Sequence, residues 1–500
     1  MSGRSPTDSY ISRAMSRVPG SGSKNRSACR IEVTHQNEAA GDVTPVRRVP
    51  GRSADCDTVA GTFRIPGYLL FTMRLMRAAS MLFCVAPVLL PAQGAVVDVS
   101  VSPDRADWLY AVGDTARFRI QLALNGRSLA GVPMVVEVAQ ERMRPMRVDT
   151  LASGTRPHIL AATLRDPGFL RVTATAVVKG KSYSGSAAAG FDPQRIEPAI
   201  TMPDDFEAFW RAAIDAARRV PLSPLMTAMP ERSTPTVTVY HVSFQNHAPN
   251  SRLYGILSVP TAPGKHPALL VLPGAGVRPY FPDTAVARRG IIHLRLGIHG
   301  IPVDRDSLLY NELRATALAR YYTYGLEDRD LYYYKRVIVG VVRAGDFIHQ
   351  LPEFDGTTYG VEGGSQGGGL TIIAGALDPR VKGISVSHPA MIDQLAFLKR
   401  RAGGWPHVFS DTTPVVAKRE KMETIRYYDV VNFARILRVP GIYSWGFNDT
   451  VVPATSVYAA YNLITAPKEA VIAPPAAHGR VPAQVARMNA WMFRLLGRGQ

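Results

Sequence analysis

One seven-residue stretch, Gly363-Gly364-Ser365-Gln366-Gly367-Gly368-Gly369, constrains this chain more than any other. It follows the strand candidate Tyr359-Gly360-Val361-Glu362 and precedes the helical run Leu370 to Leu377. A serine at the apex of a strand-to-helix turn sits at strained backbone angles, and side chains flanking it would collide with the strand or helix being joined. The G-x-S-x-G pattern meets both demands, so Ser365 is expected to stand exposed above a sheet as a nucleophile. A glycine-rich turn without chemistry is the bland alternative, and it recedes only if partners for the serine exist.

The surroundings supply the sheet. Pro203-Asp204-Asp205-Phe206-Glu207-Ala208-Phe209-Trp210 opens an amphipathic helix with acidic residues in its first turn, where the helix dipole favours them. Apolar runs then alternate with helical patterns: Ala268 to Leu272, Gly290 to Leu294, Tyr359 to Glu362, Gly383 to Val386 and Gly441 to Trp445. Near-continuous apolar strands between helices imply a mainly parallel sheet covered on both faces, an α/β architecture over 196–500.

A serine nucleophile needs a base, and the base an orienting acid, which in this architecture follow in the order Ser, acid, His. Asp449 fits the acid, because the strand ending at Trp445 runs into Gly446-Phe447-Asn448-Asp449-Thr450 at the sheet's C-terminal edge. His478 fits the base, on the loop Pro474 to Gly479 after a last strand at Ala470-Val471-Ile472. His407 falls in an irregular Gly/Trp/Pro stretch. His388 precedes the acid in chain order and reads as a packed or pocket-lining residue. The oxyanion of an acyl-transfer intermediate must be met by backbone N–H groups. One belongs to the residue after the nucleophile, Gln366. The second is expected from Leu272-Pro273-Gly274-Ala275-Gly276, with Ala275 as the candidate and Gly276 as the alternative. No H-E-x-x-H or comparable ligand cluster appears, so neither a metal nor another cofactor is expected.

Residues 95–190 have a different period. Runs such as Val96 to Val101, Ala116 to Ile120 and Leu170 to Ala176 alternate in twos between turn residues, which predicts a small immunoglobulin-like β-sandwich over 95–195, separable from the rest and without a catalytic cluster. Upstream, Arg74 and Arg77, the apolar run Ala78 to Leu90 and the small residues of Ala92-Gln93-Gly94 have the layout of a secretory signal peptide over 73–94. A membrane span needs about 20 apolar residues, so stable membrane insertion is not expected, and the exported chain should start near Ala95. Residues 1–72, rich in Ser, Arg, Pro and Gly, cannot build a core and read as a disordered, non-native extension, with translation starting at Met73 or Met76. A cytoplasmic tail before an uncleaved anchor is the competing reading. All three cysteines, Cys29, Cys56 and Cys84, precede residue 95, so residues 95–500 hold no disulfide framework. The net charge of +18 leaves a mild bias toward anionic partners, but no Lys/Arg run with interleaved aromatics marks a nucleic-acid groove, and no nucleic acid is expected as a partner.

With these residues assembled, the chain resembles the acetyl xylan esterase and cephalosporin C deacetylase family of α/β-hydrolases over about 196–495. The resemblance rests on Pro203 to Trp210, Leu253-Tyr254-Gly255, the Gly-Gly-Ser365-Gln-Gly-Gly turn, Tyr428 to Ala434 and Tyr458 to Asn462. It implies an α/β-hydrolase fold and removal of acetyl groups from sugar hydroxyls by Ser365, Asp449 and His478. The partner would be an acetylated sugar or polysaccharide, and a homo-oligomer is left open. Two departures line the mouth of the site: Leu296-Gly297-Ile298-His299-Gly300 stands where the family often has Arg-Gly-Gln, and Pro273-Gly274-Ala275 where it often has His-Gly-Tyr. Two other functions compete. A serine exopeptidase of the same fold would need an acidic pair for a free α-amino group. An inactive carbohydrate-binding protein would recognise its ligand through the sandwich.

Overall fold

A computed structural model describes residues 96–409 and 419–499. The expected signal segment at 73–94 and the extension at 1–72 lie outside the described residues. No helix among the described residues is long and apolar enough to cross a membrane.

Nine strands come first: β1 (Val97–Pro103), β2 (Leu109–Tyr110), β3 (Ala116–Leu124), β4 (Arg127–Ser128), β5 (Pro133–Gln140), β6 (Arg147–Ala152), β7 (His158–Ala162), β8 (Gly168–Val178) and β9 (Lys181–Phe191). β1, β3, β4 and β7 form one sheet, and β2-β9-β8-β5-β6 the other. The period-two reading holds at residue level: Phe118, Ile120 and Leu122 of β3, and Met134, Val136 and Val138 of β5, are buried while alternate neighbours face water. Inward side chains of both sheets share one hydrophobic core.

The second part is a nine-stranded sheet in the order β10-β11-β12-β14-β13-β15-β16-β17-β18. Its strands are β10 (Leu225–Ala228), β11 (Val237–Gln245), β12 (Arg252–Pro260), β13 (His266–Leu272), β14 (Ile292–Gly297), β15 (Phe354–Gly364), β16 (Gly383–Ser387), β17 (Gly441–Trp445) and β18 (Lys468–Ile472). From β14 to β18 every pairing is parallel, and β10 to β12 add an antiparallel edge. β16 and β17 are buried at every position, as strands covered on both faces must be. The helix Phe206–Arg218 buries Phe206, Trp210, Ile214 and Ala217, one stripe at helical spacing, and the Trp210 indole N–H donates to Tyr427 O at 3.0 Å.

The two parts are not separate bodies. Phe169 of β8 packs its ring 4.9 Å from Phe447 and 5.7 Å from Tyr458, and the hydrophobic core continues across the junction near residue 195. The boundary near residue 195 is a change of architecture inside one compact unit. Period-two patterning reports what each strand buries beneath itself, not what later packs against the sheet's end.

Candidate active site

β15 ends at Gly364, the helix Gln366–Leu377 begins one residue beyond Ser365, and Ser365 takes φ 58°, ψ −125°. Such a conformation costs a non-glycine residue about 1–3 kcal/mol and persists only where neighbours impose it. Here they do. The Ser365 amide donates to Ser387 O at 3.0 Å, and its carbonyl accepts from Ala390 N at 2.9 Å and Gly369 N at 3.1 Å. A Cβ on Gly363 would lie 2.4 Å from Gly367 O, and one on Gly367 would lie 2.2 Å from Leu272 O, so both positions exclude every side chain.

Ser365, Asp449 and His478 come together across the ends of β15, β17 and β18. His478 Nε2 lies 3.1 Å from Ser365 Oγ, and Nδ1 lies 2.7 Å from Asp449 Oδ2. Asp449 is buried, and its other oxygen, Oδ1, accepts from the amides of Val451 and Val452 at 2.8 Å each. A carboxylate so placed accepts through Oδ2, which puts the imidazole proton on Nδ1 and leaves the Nε2 lone pair facing the serine hydroxyl. His388, at the end of β16, packs edge-on against His478 with ring centroids 4.7 Å apart. Burial and the neighbouring imidazole push its pKa down to about 4, so it stands neutral beside His478. His407 donates from Nε2 to Val451 O at 2.8 Å, and so braces the Asp449 loop.

The loop after β13 is held from beneath. The Gln366 side chain is fully buried: its Nε2 donates to Pro273 O at 3.3 Å, and its Oε1 accepts from the hydroxyls of Tyr321 at 2.5 Å and Tyr334 at 2.6 Å. Arg278 donates to Gly274 O at 2.9 Å. His299 Nε2 donates to Gly276 O at 3.1 Å, while Nδ1 accepts the Tyr333 hydroxyl at 2.8 Å. Burial holds the His299 pKa near 4, and the neutral ring with its proton on Nε2 satisfies both contacts. The amides of Ala275 and Gln366 donate to no protein group among the described residues.

Several of these residues carried no sequence signal. Tyr321 and Tyr334 reach the site from a tyrosine-rich stretch, 45 and 32 residues before the Gln366 they bond. His299 was visible only as a departure from Arg-Gly-Gln. Asp429, within the Tyr428 to Ala434 motif, is structural: it caps the helix Val430–Ile436 and accepts from the amides of Asp393 and Gln394 at 2.8 Å each.

The acetyl xylan esterase family matches residues 194–495. The acetyl esterase Axe7A of Xylanibacter ruminicola is 38% identical over 384 residues, covering 74% of this chain and 84% of that protein. Since the family match runs nearly to the C-terminus, so large a share extends the likeness to residues upstream of 194. Two solved structures share the fold: an acetyl xylan esterase from Paenibacillus sp. R4 (TM-score 0.52, 23% identity, 60% of this chain and 98% of that one) and acetyl xylan esterase 1 from Thermoanaerobacterium sp. JW/SL YS485 (TM-score 0.53, 21% identity, 61% and 97%). The nine-stranded sheet and its helices are thus an α/β-hydrolase fold. The chain belongs to the acetyl xylan esterase family and is a carboxylic ester hydrolase.

Proposed function

We propose that this hydrolase removes acetyl groups from acetylated sugars or polysaccharide through an acyl-enzyme on Ser365. The observation that carries the reading is the His478 imidazole bridging Ser365 Oγ and Asp449 Oδ2. Ser365 Oγ attacks the acetyl carbonyl as His478 Nε2 takes its proton, and Asp449 holds the Nδ1–H and stabilises the imidazolium. The tetrahedral oxyanion accepts from the Gln366 and Ala275 amides, neither of which donates to a protein group among the described residues. Gly276, the next amide of the same loop, is the alternative second donor. The intermediate collapses with expulsion of the sugar alkoxide, protonated by His478. Water, deprotonated by the same imidazole, then attacks the acetyl-serine and releases acetate.

We further read residues 97–191 as an immunoglobulin-like sandwich, and the enzyme as exported by the segment 73–94. The sugar ester as substrate rests on the family and on the acetyl esterase relative. Hydrolysis of an aryl acetate, acetylated xylan and an aminoacyl arylamide by wild type and Ser365→Ala tests the proposal. Both acetates should be cleaved and the arylamide spared, with Ser365→Ala losing on the order of 10⁴–10⁶ in kcat. More than about a tenth of wild-type turnover in Ser365→Ala, or faster cleavage of the arylamide, contradicts it.

A further inference from the structure

The loop that carries Asp449 is anchored to the sandwich on both sides of the acid. Arg171, on β8, donates from Nη2 to Phe447 O at 3.0 Å, and its Nη1 lies 3.5 Å from Asn448 Oδ1. The same Nη2 pairs with Glu141 Oε1 at 3.1 Å, with both side chains nearly removed from water. Glu141 Oε2 then accepts from the amide of Thr455 at 3.0 Å and from its hydroxyl at 2.8 Å. Arg142 donates to Thr450 O at 2.6 Å, and Asn448 Nδ2 donates to Ser186 O on β9 at 3.0 Å. The chain of contacts reaches the base as well. Phe447 N donates to Pro474 O at 3.0 Å and Asn448 N to Ala476 O at 3.1 Å, two residues before His478.

We infer that Glu141 and Arg171 are positioning residues of the esterase, and that the sandwich sets the place of Asp449, and through it the His478 imidazole, rather than acting as an appended binding module. The inference rests on Asp449 being the acid of the proposed mechanism. An exposed ion pair would do little, but this pair is buried and directional, and each partner also satisfies backbone groups of the acid loop. Removing either leaves buried polar groups unpaired at the loop's two ends. A displacement of about 1 Å in a catalytic group can cost roughly 10²-fold in rate.

The test compares Arg171→Met, Glu141→Gln, Asp449→Asn and the control Val136→Ala, a substitution in the sandwich core away from the loop. Glu141→Gln keeps the volume but must either turn an NH₂ against the Thr455 amide or give up Arg171, so it loses one anchor and serves if Arg171→Met does not fold. Measured on an aryl acetate well below each variant's Tm, Arg171→Met and Glu141→Gln should lose about 10- to 100-fold in kcat with KM within about threefold of wild type. Val136→Ala should lower Tm while holding kcat within about twofold. A kcat within twofold of wild type in the anchor variants, or an equal loss in Val136→Ala, overturns the inference while a crippled Asp449→Asn leaves the mechanism standing. Wild-type turnover in Asp449→Asn overturns both.

Discussion

On one side of the site, that of the proposed nucleophile, Ser365 is fixed by one strand-turn-helix unit and the neighbouring end of β16, through backbone hydrogen bonds and two positions where no side chain fits. On the side of the proposed acid and base, Asp449 and His478 sit on two loops, and the Asp449 loop is held by hydrogen bonds from Arg171 and Glu141, the latter more than 300 residues from the Thr455 it bonds. The first side is built by sterics over seven consecutive residues. The second is built by polar contacts between distant segments, so it is sensitive to substitutions that lie nowhere near the serine.

Substitutions that act on one side and spare the other can break this contrast. The largest effect is expected from Asp449→Asn, which keeps the loop's shape but favours the wrong imidazole tautomer: kcat should fall by about 10⁴ with folding intact, as read from steady-state kinetics and the circular dichroism spectrum. Next comes Gly367→Ala, whose Cβ would stand 2.2 Å from Leu272 O and 3.0 Å from the Pro273 carbonyl carbon. Backbone on both sides cannot yield, so the elbow itself should distort, with more than about 10² lost in kcat and a lower Tm. A well-folded, near-wild-type Gly367→Ala would show that sterics do not set the nucleophile side.

Smaller effects should sharpen the picture. Gln366→Leu keeps the backbone amide but releases Pro273 O and leaves the Tyr321 and Tyr334 hydroxyls without their acceptor. Because it loosens an oxyanion donor without deleting one, kcat should fall by roughly 10- to 100-fold, below the 10²–10³ typical of donor removal. The smallest effect concerns pH. His299 is held near 4 in the folded protein against 6.5 as the ordinary value, so the folded state binds fewer protons between these values. Its contribution to stability is present above about pH 6.5 and is lost as pH falls through that window, by up to about 2 kcal/mol at pH 5. Thermal unfolding at pH 7 and pH 5 should show the loss. It should shrink in His299→Gln, where one amide can still donate to Gly276 O and accept from Tyr333.

The geometry of the Ser365 turn was almost wholly legible in the sequence, and the reason is physical. Gly363 and Gly367 are demanded by contacts within the turn or with the adjacent β13, so the requirement is written locally. Asp449 and His478 were legible through their place after β17 and β18, since a loop at the end of a parallel strand opens on one edge of the sheet. The antiparallel strands β10 to β12 were missed because a mixed edge has no pattern distinct from the strands it extends. The bracing of the acid loop was missed for a deeper reason. Arg171 lies among the alternating residues of β8 as an outward polar position, and nothing in a period of two says that the outward face meets Phe447 and Asn448. His299 and the tyrosines beneath the oxyanion loop are likewise long-range partners, joined only when β14 and the helix Tyr333–Ile348 pack beside the elbow.

The central claim is that Ser365 is the attacking group, and stoichiometric labelling with a fluorophosphonate tests it most directly, because such a reagent phosphonylates a serine activated by its base without depending on a sugar substrate. The account predicts one label per chain on the peptide containing Ser365, activity lost in proportion to label, and no labelling of Ser365→Ala. Label on another residue, or esterase activity that persists when Ser365 is fully modified, would contradict it.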